Sequence, residues 1–212
     1  MLKNKLFELE ALRGIASIVV FIWHFLIAFY PEITGYYDNN SGLMGNPFFA
    51  MINGSAAVVF FFVLSGFVLT YKYFITNYNF YLINSIFKRY FRLVLPIFLS
   101  IMLSYLLFSM NFYYYTGASE ITHSKWLGTF AYSQSSGDFT PSFNEAFMQG
   151  MFFCLFKGET YYNNNLWSMK IEYIGSIISL CISPIILHSK KIGLVLLSAL
   201  FFTIFYFSNT YY

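Results

Sequence analysis

An arginine and a histidine eleven residues apart, Arg13 and His24, bracket the apolar run LRGIASIVVFIWH. Histidine takes up and returns a proton near neutral pH, so it can act as a general base or as a nucleophile. Arginine offers a planar fork of donors suited to carboxylates and phosphates. On a helix, eleven residues make close to three turns, so both side chains leave one face, roughly 16 Å apart along the axis. An ionisable group inside an apolar span points by default into the bundle interior or a wet cavity. Read singly, Arg13 can be a snorkelling residue at the membrane boundary and His24 a hydrogen-bonded packing residue. Taken together on one face, they are expected to serve one polar chamber, with His24 near mid-membrane.

Three further stretches carry polar residues where few are tolerated. In FKRYFRLVLP, Arg89 and Arg92 are three residues apart on one helix face, a spacing that makes a clamp for phosphate oxygens or, with Lys88, a plain cationic anchor. In VVFFFVLSGFVLT, Ser65 and Gly66 interrupt a bulky span, and small residues there let helix backbones approach closely. In NNLWSMKIEYIG, Ser168 and Glu172 are four apart, and Trp167 suits a membrane interface. A carboxylate at the depth of Glu172 should pair with a cation. His24 and Lys170 are the two candidates.

The elements that position these residues follow from composition. Of 212 residues, 58% are hydrophobic and only 10% charged, with a mean hydropathy of +0.59. Soluble domains are about a quarter charged, so this chain lacks the polar material to cover a water-facing surface. The fold expected is all-α, a polytopic integral membrane bundle forming a single domain over 1–212. A span needs about 20 apolar residues. Five stretches approach that length: Gly14 to Tyr30, Ser55 to Ile75, Leu93 to Met110, Leu166 to Leu187 and Ile192 to Phe207. Asn144 to Phe156 is too short to cross alone and reads as a re-entrant or interfacial helix, or as part of a sixth span.

Charge placement orients the bundle. With a cytoplasmic N-terminus, Lys3, Lys5, Arg13, Lys72, Lys88, Arg89, Arg92, Lys190 and Lys191 all fall inside, while Glu32, Asp38, Glu120, Asp138, Glu145 and Glu159 fall outside. That is the positive-inside pattern. No small-residue cleavage site follows the first apolar run, which reads as a retained span. Cys154 and Cys181 have no metal or redox spacing, so neither a disulfide nor a metal site is expected. Aromatics, 24% of the chain, cluster near span ends in runs such as NFYYY, as an interfacial belt does.

Together the four polar stretches resemble the membrane-bound acyltransferase family 3, which includes bacterial O-antigen and peptidoglycan O-acetyltransferases. ELEALRGIASIVVFIWH matches its opening arginine, ten residues and histidine. FFFVLSGFVLT matches its second-span signature, RYFR its paired arginines, and LWSMKIE its tryptophan-serine helix start with a downstream glutamate. The resemblance implies a cell-membrane enzyme, in a bacterium an inner-membrane one. It would move an acyl group, commonly acetyl, from cytoplasmic acyl-coenzyme A to a hydroxyl of a surface glycan or glycolipid. It makes His24 the catalytic histidine, Arg13 its motif partner, and Arg89 with Arg92 the holders of the coenzyme A phosphates. Glu172 as the group that orients His24 is a separate expectation, by analogy with a catalytic triad.

The chain departs from the family pattern in two ways. The polar residue common just before the second-span signature is here Val59. The family's membrane domain also has about twice the spans counted here, so the chain reads as an N-terminal part, with a second polypeptide as one source of the remaining helices. Besides an acyltransferase, two other readings fit the residues: a non-catalytic membrane fragment or partner subunit, and a proton-conducting relay through Arg13, His24 and Glu172. The relay calls for inverted repeats or broken Gly/Pro helices, and neither is visible. The partners expected are the bilayer and a carbohydrate-bearing acceptor, with no nucleic acid and no metal.

Overall fold

Inside hydrocarbon a backbone must satisfy its own hydrogen bonds, and a long apolar run does so as a helix. The computed structural model describes residues 2–36, 42–76, 79–130 and 139–199, and every regular element among them is helical. Helix α1 is Leu2–Phe29, followed by the single turn α2, Pro31–Thr34. Then come α3 (Gly54–Thr76), α4 (Asn79–Ser109) and the short α5 (Tyr115–Thr122). Helix α6 (Phe143–Met148) continues through a π-helical turn, Gln149–Phe153, into α7 (Cys154–Phe156), and α8 is Met169–His188. Four segments among the described residues are long and apolar enough to cross a membrane: Phe7–Phe29, Pro47–Thr76, Phe80–Ser109 and Asn164–His188. The fifth expected span, Ile192 to Phe207, is helical over 190–199, and its remainder lies outside the described residues.

Two spans start earlier than their apolar runs suggest. Helix α1 extends back through ELEAL, whose residues are strong helix formers, so Arg13 lies within the helix and not at its mouth. Helix α4 begins at Asn79, fourteen residues before the expected Leu93. Lys88, Arg89 and Arg92 mark a membrane boundary by sequence, whereas the helix runs straight through them.

Helix α1 packs against α3, α3 against α8, and α4 against α8. Gly54 allows the first of these contacts, since a Cβ at that position would stand 2.3 Å from the Trp23 ring. The core is built from Leu93, Val94, Ile97 and Ile101 of α4 with Ala146, Cys154, Leu155, Tyr162 and Tyr173. The 143–156 segment, too short to span, lies along α4, with Gly150 pressed on Phe98. Its π turn frees a carbonyl: the Tyr90 hydroxyl donates to the Met151 oxygen at 2.8 Å. In α8, Pro184 has no N–H for the Leu180 carbonyl. The Ser183 hydroxyl lies 2.9 Å from that oxygen and 2.9 Å from the Ser179 carbonyl, and shares its one proton between them.

Candidate functional site

The helices bring polar side chains together at two separate places. The first is a buried knot where α3, α4 and α8 meet. Arg89, 5% exposed, forms an ion pair through Nη2 with Oε1 of Glu172, itself 6% exposed. The same Nη2 donates to Ser65 Oγ at 2.8 Å, and Nε donates to Ser176 Oγ at 3.1 Å. Each serine passes its own proton on. Ser65 donates to Glu172 Oε1 at 3.4 Å, and Ser176 donates to the Glu172 backbone carbonyl at 2.6 Å. Ser65 stands eleven residues from either end of α3, roughly 16 Å along the axis, so the knot sits at mid-helix depth. A charge at that depth is tolerated when it is paired and hydrogen-bonded, and Arg89 has both a carboxylate and two serine hydroxyls. A cavity of about 140 Å³ adjoins it, walled in part by Gly66, Gly175 and Ser179.

This arrangement corrects two expectations. Arg89 and Arg92 do not form a joint clamp: Arg89 is buried and committed to Glu172, while Arg92 is exposed and has no ion pair among the described residues. The reason is packing, since α8 covers the Arg89 side of α4 and not the Arg92 side. Glu172, in turn, does not meet His24. Its cation is Arg89, and the rival Lys170 donates to the Lys157 carbonyl at 3.0 Å. Ser65, whose small size suggested close packing, also serves as a hydrogen-bond relay. Ser176 was missed, although its spacing of four from Glu172 is the available signal.

Arg13 lies near this knot without joining its hydrogen bonds. Its guanidinium stands 4.8 Å from the centroid of Phe61 on α3, and Nη1 pairs with Glu10 at 3.0 Å. Its Nε is buried without a hydrogen-bond partner among the described residues. The charges of Arg92 and Arg13 both reach Arg89.

The second place is the far end of α1. His24 is half-buried, and its Nδ1 lies 2.8 Å from the Val20 carbonyl. A carbonyl only accepts, so the neutral ring carries its proton on Nδ1 and leaves Nε2 as the basic nitrogen. Nε2 has no hydrogen-bond partner among the described residues. The imidazole packs against Trp126, centroids 5.3 Å apart, and Trp126 meets Phe130 edge-on at 4.9 Å. The turn that carries Trp126 is tied down by Ser124, whose buried hydroxyl donates to the Ile27 carbonyl at 2.7 Å. Neither Trp126 nor Ser124 stood out by sequence, because nothing local links that loop to α1.

His24 lines a cavity of about 560 Å³ between α1, the end of α4, and α5 with its following turn. Its walls include Phe21, Phe25, Phe112, Tyr113, Trp126 and Phe130. Burial pushes the Tyr113 phenol above its ordinary range, offset in part by a hydrogen bond with Ser104, so that wall stays neutral. Arg13 and Glu172 are not in this cavity. The single polar chamber expected for Arg13 and His24 is therefore two places, separated by a helical rise no side chain bridges. Across the Leu127–Thr129 turn lies a polar cavity of about 470 Å³, walled by Lys157, Glu159, Thr160 and Asn164 among others.

The family model described as an acyltransferase domain matches residues 6–211. No curated protein matches the chain, and no solved structure matches it.

Proposed function

The chain belongs to acyltransferase family 3, a family of membrane acyltransferases, and from that premise we propose that it moves an acyl group, acetyl in the first instance, from cytoplasmic acyl-coenzyme A to a hydroxyl of a cell-surface glycan or glycolipid. One observation carries this reading. His24 has Nδ1 held by the Val20 carbonyl and Nε2 uncommitted in the wall of a cavity large enough for a substrate. Nε2 takes the proton of the acceptor hydroxyl as that oxygen attacks the thioester carbonyl. The carbon–oxygen bond forms, the carbon–sulfur bond breaks, and the proton passes to the departing thiolate. The products are an ester and free coenzyme A. The Val20 carbonyl takes the place of a triad carboxylate: it fixes the tautomer and steadies the imidazolium.

The positive-inside pattern supports a cytoplasmic N-terminus, an orientation in which the His24 cavity lies toward the outer face. The donor's phosphates then fit Arg92, exposed and without an ion pair, and Arg13, whose buried Nε still lacks an acceptor. Arg89 and Glu172 act as positioning residues that hold α3, α4 and α8 in register. Glycan mass spectrometry of cells with and without the gene tests the proposal. The acyl mass increment should vanish on deletion and return with the wild-type gene but not with His24→Ala. An increment restored by His24→Ala would end the assignment.

A further inference from the structure

We propose that Asn165 is a second catalytic residue of the His24 cavity, and that its carboxamide N–H groups hold the oxyanion formed when an acceptor hydroxyl attacks the thioester. The inference rests on the acyl-transfer reading of His24 and adds the electrostatic half of that chemistry. As the acceptor oxygen bonds to the thioester carbon, its proton goes to His24 Nε2 and the carbonyl π pair moves onto oxygen. When that pair returns, the carbon–sulfur bond breaks and the thiolate takes the proton from the imidazolium. In a cavity walled mainly by rings, the oxyanion between those two steps has few groups to replace water. A donor already fixed at that oxygen acts where the charge develops.

Three consecutive asparagines lead into α8, and the structure uses their amides differently. Asn163 Nδ2 donates to Ser100 Oγ at 2.7 Å, and its Oδ1 accepts from the Asn165 backbone N–H at 3.0 Å. Asn164 Nδ2 donates to the Thr129 carbonyl at 2.7 Å. Asn165 instead lines the His24 cavity, and its carboxamide makes no hydrogen bond among the described residues. The backbone beneath it is held. Asn163 takes its N–H, Asn164 binds the turn that carries Trp126, and Ser124 ties that turn to the Ile27 carbonyl of α1. His24 and Asn165 therefore reach one cavity from segments fastened to each other, as a preorganised pair requires. The other polar side chains on its described walls are phenols. Tyr113 shares a hydrogen bond with Ser104 and Tyr114 is 72% exposed, which leaves Tyr115 as the rival donor.

The test uses native membranes containing the full chain, with acetyl-coenzyme A as donor and coenzyme A release as the readout. Asn165→Ala should lower kcat by about a hundredfold to a thousandfold with KM for acetyl-coenzyme A unchanged. Asn165→Asp has the same size but no N–H to donate, and should lose at least as much. Asn165→Gln keeps the carboxamide and should recover part of the rate. A second readout needs no turnover. In His24→Ala, the carbonyl stretch of bound, isotope-labelled acetyl-coenzyme A should lie at lower frequency than in His24→Ala with Asn165→Ala, because donated hydrogen bonds weaken the carbonyl bond. Equal frequencies overturn the proposal, as does full activity in Asn165→Asp. A loss of rate in Tyr115→Phe but not in Asn165→Ala gives the role to that phenol and overturns it too. Turnover lost in His24→Ala and kept in Asn165→Ala defeats this assignment alone. Turnover absent from the unmodified chain, or unchanged in His24→Ala, defeats the acyl-transfer reading and this assignment with it.

Discussion

The Arg89 knot and the His24 cavity are both polar intrusions into an apolar bundle, yet they differ in what their hydrogen bonds leave over. In the knot, Arg89 meets a carboxylate and two serines drawn from two other helices, and those serines donate onward to Glu172. Its full charges are matched where solvent cannot reach. At His24 one ring nitrogen is tied to its own helix, and the other faces a cavity walled by aromatic rings. A polar group whose bonds are closed within the protein holds helices together, whereas one with a bond to spare beside open space can act on a substrate. On the proposed reading, cohesion falls where α3, α4 and α8 meet and chemistry at the far end of α1.

Substitutions can separate the two roles. The largest expected effect is on turnover: His24→Ala should lower acyl transfer by about a thousandfold or more while the protein still folds, as read by product formation and by thermal unfolding in detergent. Equal melting and equal activity would place His24 with the packing residues. Arg89→Ala should act the other way round. Leaving Glu172 buried and unpaired should cost about 3–5 kcal/mol of stability, with donor KM unchanged for the fraction that remains folded. Arg89→Met with Glu172→Leu should recover much of that loss, because an apolar pair removes both charges at once. A raised donor KM in the folded Arg89→Ala fraction would return Arg89 to the donor site.

Arg92→Ala should weaken donor binding about tenfold with little change in stability, measured as KM for acyl-coenzyme A. A stability loss matching that of Arg89→Ala would erase the contrast between the two arginines. The smallest effect concerns α8, where Ser183→Ala strips the Leu180 carbonyl of its substitute donor beside Pro184 and should cost about 0.5–1 kcal/mol in unfolding. At the chemical margin, burial pushes the Cys154 thiol up to about 12, so it should resist maleimide at neutral pH in folded protein and react once the chain is unfolded.

Much of this architecture could be read from the order of residues. Hydropathy runs suffice to place helices in a bilayer, because no other single-segment structure satisfies its backbone there, and the Phe7–Phe29, Pro47–Thr76, Phe80–Ser109 and Asn164–His188 segments all correspond to expected spans. Arg13, His24, Arg89, Arg92 and Glu172 likewise stood out, since an ionisable side chain in such a setting needs a reason. What each of them touches was not. Spacing along one helix says which side chains share a face, but partners come from other helices, and their register is decided by packing. Only the tertiary structure could send Glu172 to Arg89 in place of His24, recruit Ser65 and Ser176 to that pair, and lay Trp126, 102 residues after His24, against the imidazole. Local sequence encodes the helix and the cost of a charge within it, while three-dimensional contact decides how that cost is met.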